Sequence, residues 1–224
     1  MNGNEEQEYY EVRYIIVGDS GVGKTNIIYR FVKEEFQNEM QSTLGVDFLS
    51  KNIKINDKIF KLQIWDTNGM EQFRSIRQNY YKNAACALII YDITDEKSFK
   101  SINDWIEECK NNAFNEDLLI ILVGNKRDLK EDRKITEEDG KSLGNKYEIP
   151  FYESSALSGY NIDKIFCESS DMINDLIKKG GNEKEYKGII KKKGILEQIK
   201  NLNNTSINID NDLDDDSSSS CCFH

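Results

Sequence analysis

Residues 18–25, GDSGVGKT, have the residue types and the spacing needed to hold a polyphosphate. Glycines let the backbone come close to an anion, and where such a segment leads from a strand into a helix, successive N–H groups and the helix dipole converge on it. Gly18, Asp19, Ser20, Gly21, Val22 and Gly23 would form the cradle, Lys24 would bring a point charge to the terminal phosphates, and the Thr25 hydroxyl is placed to ligate Mg2+. A second string, Asn125-Lys126-Arg127-Asp128, bears on the base. An ionised Asp128 can only accept hydrogen bonds; guanine offers it a ring N1–H and a 2-amino group, and adenine presents neither. A pocket built on such paired bonds rejects the wrong base by about 10^4, because a buried carboxylate would be left unpaired. Between the two lies WDTNGME, residues 65–71, where Asp66 can hold Mg2+ through water and Gly69 can offer its N–H to a terminal phosphate.

These residues need elements to position them, and the periodicity supplies an alternation of strands and helices. A short apolar strand at 14–17 precedes a helix over 25–36 with Ile27, Ile28, Phe31 and Val32 at helical spacing. Two alternating runs, one ending at Ile53 and Ile55 and one restarting at Phe60, Leu62 and Ile64, flank Asn56-Asp57, the turn of an antiparallel hairpin. Buried strands are predicted at 85–91 and 118–124, with Phe99, Ile102, Trp105, Ile106 and Cys109 forming one helical face between them. Thr136 and Asp139 read as a capping box, Pro150 introduces a short strand through Tyr152, and a last helix starts near Asn161 and buries Ile162, Ile165, Phe166, Ile173, Leu176 and Ile177. Such alternation implies a mostly parallel sheet with helices on both faces and ligands at the carboxyl ends of the strands.

Composition narrows the chemistry further. The single histidine of the 224 residues is His224, so no Ser/His/Asp triad, Cys/His pair or imidazole zinc site can form inside the fold. A net charge of −10 argues against general nucleic-acid binding. The longest apolar runs, 84–91 and 118–123, fall far short of the roughly 20 residues that cross a bilayer, and no signal peptide opens the chain, so a cytosolic location is expected. Cys86, Cys109 and Cys167 read as buried small hydrophobes, whereas Cys221 and Cys222 are adjacent near the end. Residues 180–224, rich in Asn, Lys, Asp and Ser with six Lys against eight acids, are expected to be a disordered tail.

Taken together, the chain resembles the small GTPases of the Ras superfamily, and more narrowly the Rab family of vesicle-traffic switches. The resemblance covers about residues 9–179, the expected G domain, and is carried by the strings above together with STLGVDF, KLQIWDT, FRSI, LIIYDITDEKSF and the terminal cysteine pair. It implies an α/β P-loop NTPase G domain, a six-stranded, mostly parallel sheet with one antiparallel strand and helices on both faces. It also implies GTP/GDP and Mg2+ as ligands, with Thr25, Thr43 and Asp66 around the metal. Lys24, Thr43 and Gly69 would serve hydrolysis, Thr43 sensing the γ-phosphate. Phe36 matches the aromatic that lies against guanine, Lys126 and Asp128 belong to the base site with Asn125, and Ser155 and Ala156 match the loop whose N–H groups meet the base carbonyl. Phe48, Trp65 and Tyr80 occupy the positions of the triad that effectors read. The implied partners are effectors, an exchange factor, a GTPase-activating protein, an escort protein and a GDP-dissociation inhibitor. A monomer is implied, cycling between cytosol and the cytoplasmic face of a membrane through geranylgeranyl groups on Cys221 and Cys222. Loss of the γ-phosphate would release both switch segments.

The sequence departs from the family at Met70, where Gln normally orients the attacking water; a thioether cannot do so, and slow intrinsic hydrolysis is the expectation. An activating protein that supplies Arg and Gln in trans could restore turnover, and a GTP-locked binding module is the rival reading. An ATP-using P-loop enzyme is disfavoured by Asp128 and the Thr43 segment. Asn68 replaces the usual Ala without an assignable role, Gln72 replaces an Arg that contacts recycling chaperones, and Leu157 replaces the Lys that covers guanine. Asp214, Asp215 and Asp216 lie near the lipid site, so attachment would depend on the lipids and not on surface charge.

Overall fold

The computed structural model describes residues 6–36, 46–67, 80–113, 118–180, 186–195 and 206–209. Strands β1 (Glu6–Val17), β2 (Val46–Ile55), β3 (Lys58–Thr67), β4 (Cys86–Asp92), β5 (Leu119–Asn125) and β6 (Phe151–Glu153) alternate with helices α1 (Lys24–Lys33), α2 (Glu96–Lys100), α3 (Ile102–Asn112), α4 (Glu137–Tyr147) and α5 (Ile162–Gly180). Two further strands, β7 (Ile189–Ile195) and β8 (Ser206–Ile209), join them. The order across the sheet is β6-β5-β4-β1-β3-β2-β8, with β7 beside β1.

The first six strands match the predicted sheet in order and direction: β1, β3, β4, β5 and β6 run parallel and β2 returns antiparallel to β3 through the turn at Asn56-Asp57. β1 begins at Glu6 where a strand over 14–17 was expected, and α1 ends at Lys33 and not at residue 36, because Glu34 turns left-handed. Both faces are covered, which explains the unbroken apolar runs of the central strands. Val12, Tyr14 and Ile16 face a core shared with α1 and α5, while Ile15 and Val17 face a second core shared with α3. In the first core Phe31 of α1 stacks on Phe166 of α5 with centroids 3.9 Å apart. Burying one such side chain contributes about 1.5–3 kcal/mol. Cys86, Cys109 and Cys167 are free and buried as expected, and burial pushes the Cys86 and Cys109 thiols well above the usual range.

Three further expectations are corrected. The face running from Phe99 to Cys109 is two helices, because Asp95 caps α2 by accepting from the Lys97 N–H and the chain then breaks at Ser101, whose hydroxyl is used elsewhere. Leu176 and Ile177 are half-buried, lying toward the exposed end of α5.

The third correction concerns the tail, which is not without structure from residue 180. β7 pairs antiparallel with the first half of β1, with Glu6 opposite Ile195 and Val12 opposite Ile189. The second half of β1 takes β4 on that side, and the exchange occurs at Arg13, whose N–H donates to the Gly188 carbonyl at 2.8 Å while its own carbonyl accepts from Ala85. Lys191 pairs with Glu8 at 2.8 Å and Lys192 with Glu11 at 2.7 Å. Backbone pairing and opposite charge hold this segment where hydrophobic patterning alone does not mark it. β8 pairs parallel with β2 along residues 52–55, so among the described residues the sheet has eight strands where six were predicted.

No helix among the described residues is long and apolar enough to cross a membrane.

Candidate nucleotide-binding site

The loop after β1 has the shape a phosphate needs. Gly18 has φ 139°, and a Cβ there would lie 2.1 Å from the Ile90 carbonyl oxygen of β4, so only glycine fits. Gly23 has φ 95°, and a Cβ would meet the Asn125 side-chain nitrogen at 2.5 Å. Gly23 is also the N-cap of α1, with no side-chain cap and no acidic residue in the first turn, so the helix presents its first N–H groups and the positive end of its dipole to the loop. Lys24 is buried, and its ammonium donates to the Gly18 and Asp19 carbonyls, both at 2.8 Å. Ser20 and Gly21 stand exposed at the tip and Val22 is buried beneath it. The Asp19 carboxylate is held by the break between α2 and α3, accepting from Ser101 Oγ at 2.9 Å and from Trp105 Nε1 at 2.8 Å.

Two of the three residues expected around the metal, Thr25 at the start of α1 and Asp66 at the end of β3, meet. Thr25 Oγ1 donates to Asp66 Oδ2 at 2.6 Å, and Asp66 is 3% exposed at the end of β3. A hydroxyl and a carboxylate beside a phosphate cradle form an all-oxygen donor set that suits a hard cation such as Mg2+, which binds through one or two protein ligands and phosphate oxygens. Thr43, Asn68, Gly69, Met70 and Gln72 lie outside the described residues.

The base side is more densely bonded. Asn125, 1% exposed, donates from Nδ2 to the Val22 carbonyl at 2.9 Å, while its Oδ1 accepts from Ser154 Oγ at 3.2 Å and from the Ala156 N–H at 3.3 Å. One amide thus joins the phosphate loop to the loop after β6. Ser155 Oγ donates to the Asp128 carboxylate and accepts from the Ser158 N–H at 3.0 Å. Lys126, at φ 66°, pairs with Asp92 at 2.7 Å. Leu157 is 49% exposed on the same turn, and Phe36 is half-buried against the first core.

Several contributors escape sequence reading. Glu153 is 5% exposed and receives Arg133 at 2.8 Å and Arg127 at 3.3 Å, bracing the segments that carry Asp128 and Ser155. Asn161 donates to the Glu153 carbonyl at 2.9 Å, and Arg127 lies over the Tyr160 ring at 4.3 Å. Ser154, Ser101 and Trp105 belong with them. Their partners lie 8 to 86 residues away in the chain, and no local pattern pairs them.

Away from the loops, Phe48, Trp65 and Tyr80 form a continuous aromatic surface with centroids 4.8 and 4.9 Å apart. Phe48 is 41% exposed, and a shallow cavity of about 280 Å³ lined by Arg13, Trp65, Tyr80 and Asn83 adjoins it.

Comparison with known proteins agrees with this geometry. Residues 13–175 match the profile of the Ras family. The chain is 44% identical over 162 residues to Ras-related protein Rab-2B of Dictyostelium discoideum, covering 72% of this chain and 79% of that protein. It is 38% identical over 179 residues to Ras-related protein RABA1c of Arabidopsis thaliana, covering 80% and 82% respectively. With Ras-related protein Rab-11B of Dictyostelium discoideum it shares 39% over 200 residues, 89% of this chain and 85% of that protein. A phosphate cradle bonded to a guanine-type base loop, in a chain so similar to Rab proteins over most of its length, makes this a member of the Ras family and of its Rab branch of small GTPases.

Proposed function

We propose that the protein is a GTP-operated switch of vesicle trafficking that hydrolyses its nucleotide slowly unaided. The observation that carries the nucleotide reading is the Asn125 amide, which bonds to Val22 with its nitrogen and to the Ser154–Ala156 loop with its oxygen. It holds a polyphosphate cradle and an acidic base reader at fixed separation. Gly18, Gly21 and Gly23 let the backbone surround the phosphates, and Lys24 leaves its two loop carbonyls to neutralise them. Asp128 takes the N1–H and 2-amino group of guanine, with Ser155 and Ala156 beside it. Thr25 and Asp66, joined by Thr43, would hold Mg2+, which when bound neutralises charge on the phosphate oxygens.

Met70 is the reason for slow hydrolysis. Phosphoryl transfer owes most of its acceleration to positioning, and a thioether gives the attacking water no strong hydrogen-bond partner. The same residue supports a second reading, a module that stays GTP-bound and recruits effectors. Effectors would meet the Phe48, Trp65 and Tyr80 surface, and lipids on Cys221 and Cys222 would hold the protein at a membrane through two chains, where one gives only marginal binding. An exchange factor, a GTPase-activating protein, an escort protein and a GDP-dissociation inhibitor complete the implied cycle.

Single-turnover phosphate release from the GTP-loaded protein and from Met70→Gln tests the reading. The variant should hydrolyse about tenfold faster or more, a barrier difference of about 1.4 kcal/mol per tenfold. Equal rates would remove the slow-hydrolysis claim, and preferential binding of ATP would remove the GTPase reading of the site.

A further inference from the structure

Arg30 makes three hydrogen bonds to carbonyl oxygens. Its Nε donates to Ala156 at 2.8 Å, Nη2 to Leu157 at 2.8 Å and Nη1 to Glu34 at 2.9 Å. Two of these acceptors lie on the turn after β6, 126 and 127 residues away, and the third is the C-cap of α1 itself, at φ 61°. We infer that Arg30 is a positioning residue for base selection, fixing the 155–158 turn so that its N–H donors face the guanine site. This rests on the guanine-nucleotide reading above.

In a planar trans peptide the carbonyl and the following N–H point in opposite directions. With the Ala156 and Leu157 carbonyls drawn to Arg30, the Leu157 and Ser158 N–H groups, which follow them in the same two peptides, are turned to the other side. The bond there agrees: the Ser158 N–H meets Ser155 Oγ at 3.0 Å, on the side of Asp128. The preceding N–H, of Ala156, is held separately by Asn125 Oδ1 at 3.3 Å. Backbone bonds from the Gly159 N–H to the Ser155 carbonyl and from the Ser155 N–H to the Tyr160 carbonyl close the turn, so it is held as a unit.

The second element is the helix. α1 starts with Lys24 and Thr25 on the phosphate side and carries Arg30 about one and a half turns later. One rigid helix therefore sets the spacing between the phosphate end and the base end of the site. A guanidinium donates to three separate acceptors from one rigid fork; a lysine ammonium at this position is a point donor that cannot hold the fork.

The test is competition of GDP, IDP and ADP against a fluorescent GDP on the full chain, with Arg30→Met and Arg30→Lys, whose folding is followed by circular dichroism. The 6-carbonyl of guanine and hypoxanthine can use the turn's donors, and the 6-amino group of adenine cannot. Both variants should lose about tenfold in affinity for GDP and IDP alike, with ADP affinity changed less than about threefold. Equal weakening of all three nucleotides would mean a structural role only, and unchanged affinities would mean none; either overturns the inference. Arg30→Lys keeps charge and bulk, so it carries the test where Arg30→Met does not fold. Failure of the wild-type chain to prefer GDP over ADP would instead overturn the guanine reading.

Discussion

The two ends of the nucleotide site are built by different means. At the base end, side chains bond to side chains and to distant backbone: Asn125 to Val22, Ser154 and Ala156, Ser155 to Asp128, Glu153 to Arg127 and Arg133, Arg30 to Ala156 and Leu157. At the phosphate end glycines set out the backbone N–H groups, and apart from Asp19, held by Ser101 and Trp105, the polar side chains rest on groups a ligand can replace, Lys24 on the Gly18 and Asp19 carbonyls and Thr25 on Asp66. A base must be told from other bases, which needs donors and acceptors fixed beforehand. A phosphate must be released and exchanged, which suits groups that trade one partner for another. Rigidity serves selection and replaceable contacts serve turnover.

Breaking the base end should have the largest effect. Asp128→Ala removes the acceptor for two guanine donors, and the preference for GDP over ADP should fall by about 10^3 or more. Competition binding reads it, and a preference within tenfold of wild type would show that Asp128 is not the base reader. Gly23→Ala addresses the phosphate end. It forces a side chain into a left-handed conformation and against the Asn125 amide, and strain of about 1–3 kcal/mol should weaken GDP, IDP and ADP together by about 10- to 100-fold. Here the preference between bases should hold, so a selective loss of guanine would erase the distinction between the two ends.

The smallest effect is expected far from either. The Lys191 hydrogen bond holds the Glu8 carboxyl below its ordinary value of 4.5. A carboxyl lowered in the folded state adds stability that is present above its unfolded value and is lost as pH falls through the lowered one. Hydrogen-exchange protection of residues 189–195 should therefore decline below pH 4.5, more steeply in the wild type than in Glu8→Gln, with GDP affinity unchanged in the variant. Identical pH profiles would show that the charge pair does not hold the strand.

How much could be read beforehand follows from the range of each interaction. The cradle at residues 18–25, the hairpin turn at Asn56-Asp57 and the capping box of Thr136 with Asp139, which the structure shows reciprocally bonded, are contiguous and were legible. β7 was not, because Ile189, Ile190 and three lysines carry no alternation. Its place depends on Glu8 and Glu11, roughly 180 residues earlier in the chain. The break at Ser101 was hidden for a related reason: the apolar spacing runs straight through it, and the Asp19 carboxylate that uses its hydroxyl is 82 residues distant.

The sequence by itself determined which groups are available: the glycine-rich segment that can approach an anion, the carboxylate at Asp128 that can only accept hydrogen bonds, and the strand-helix order that brings the loops to one edge. These follow from side-chain type and backbone periodicity, which are local. Only the tertiary structure decided the pairings, Thr25 with Asp66, Asn125 with Val22, Arg30 with Ala156 and β7 with β1. Such contacts depend on the order of strands across the sheet and on which neighbour a side chain finds there, and sequence spacing does not encode that distance.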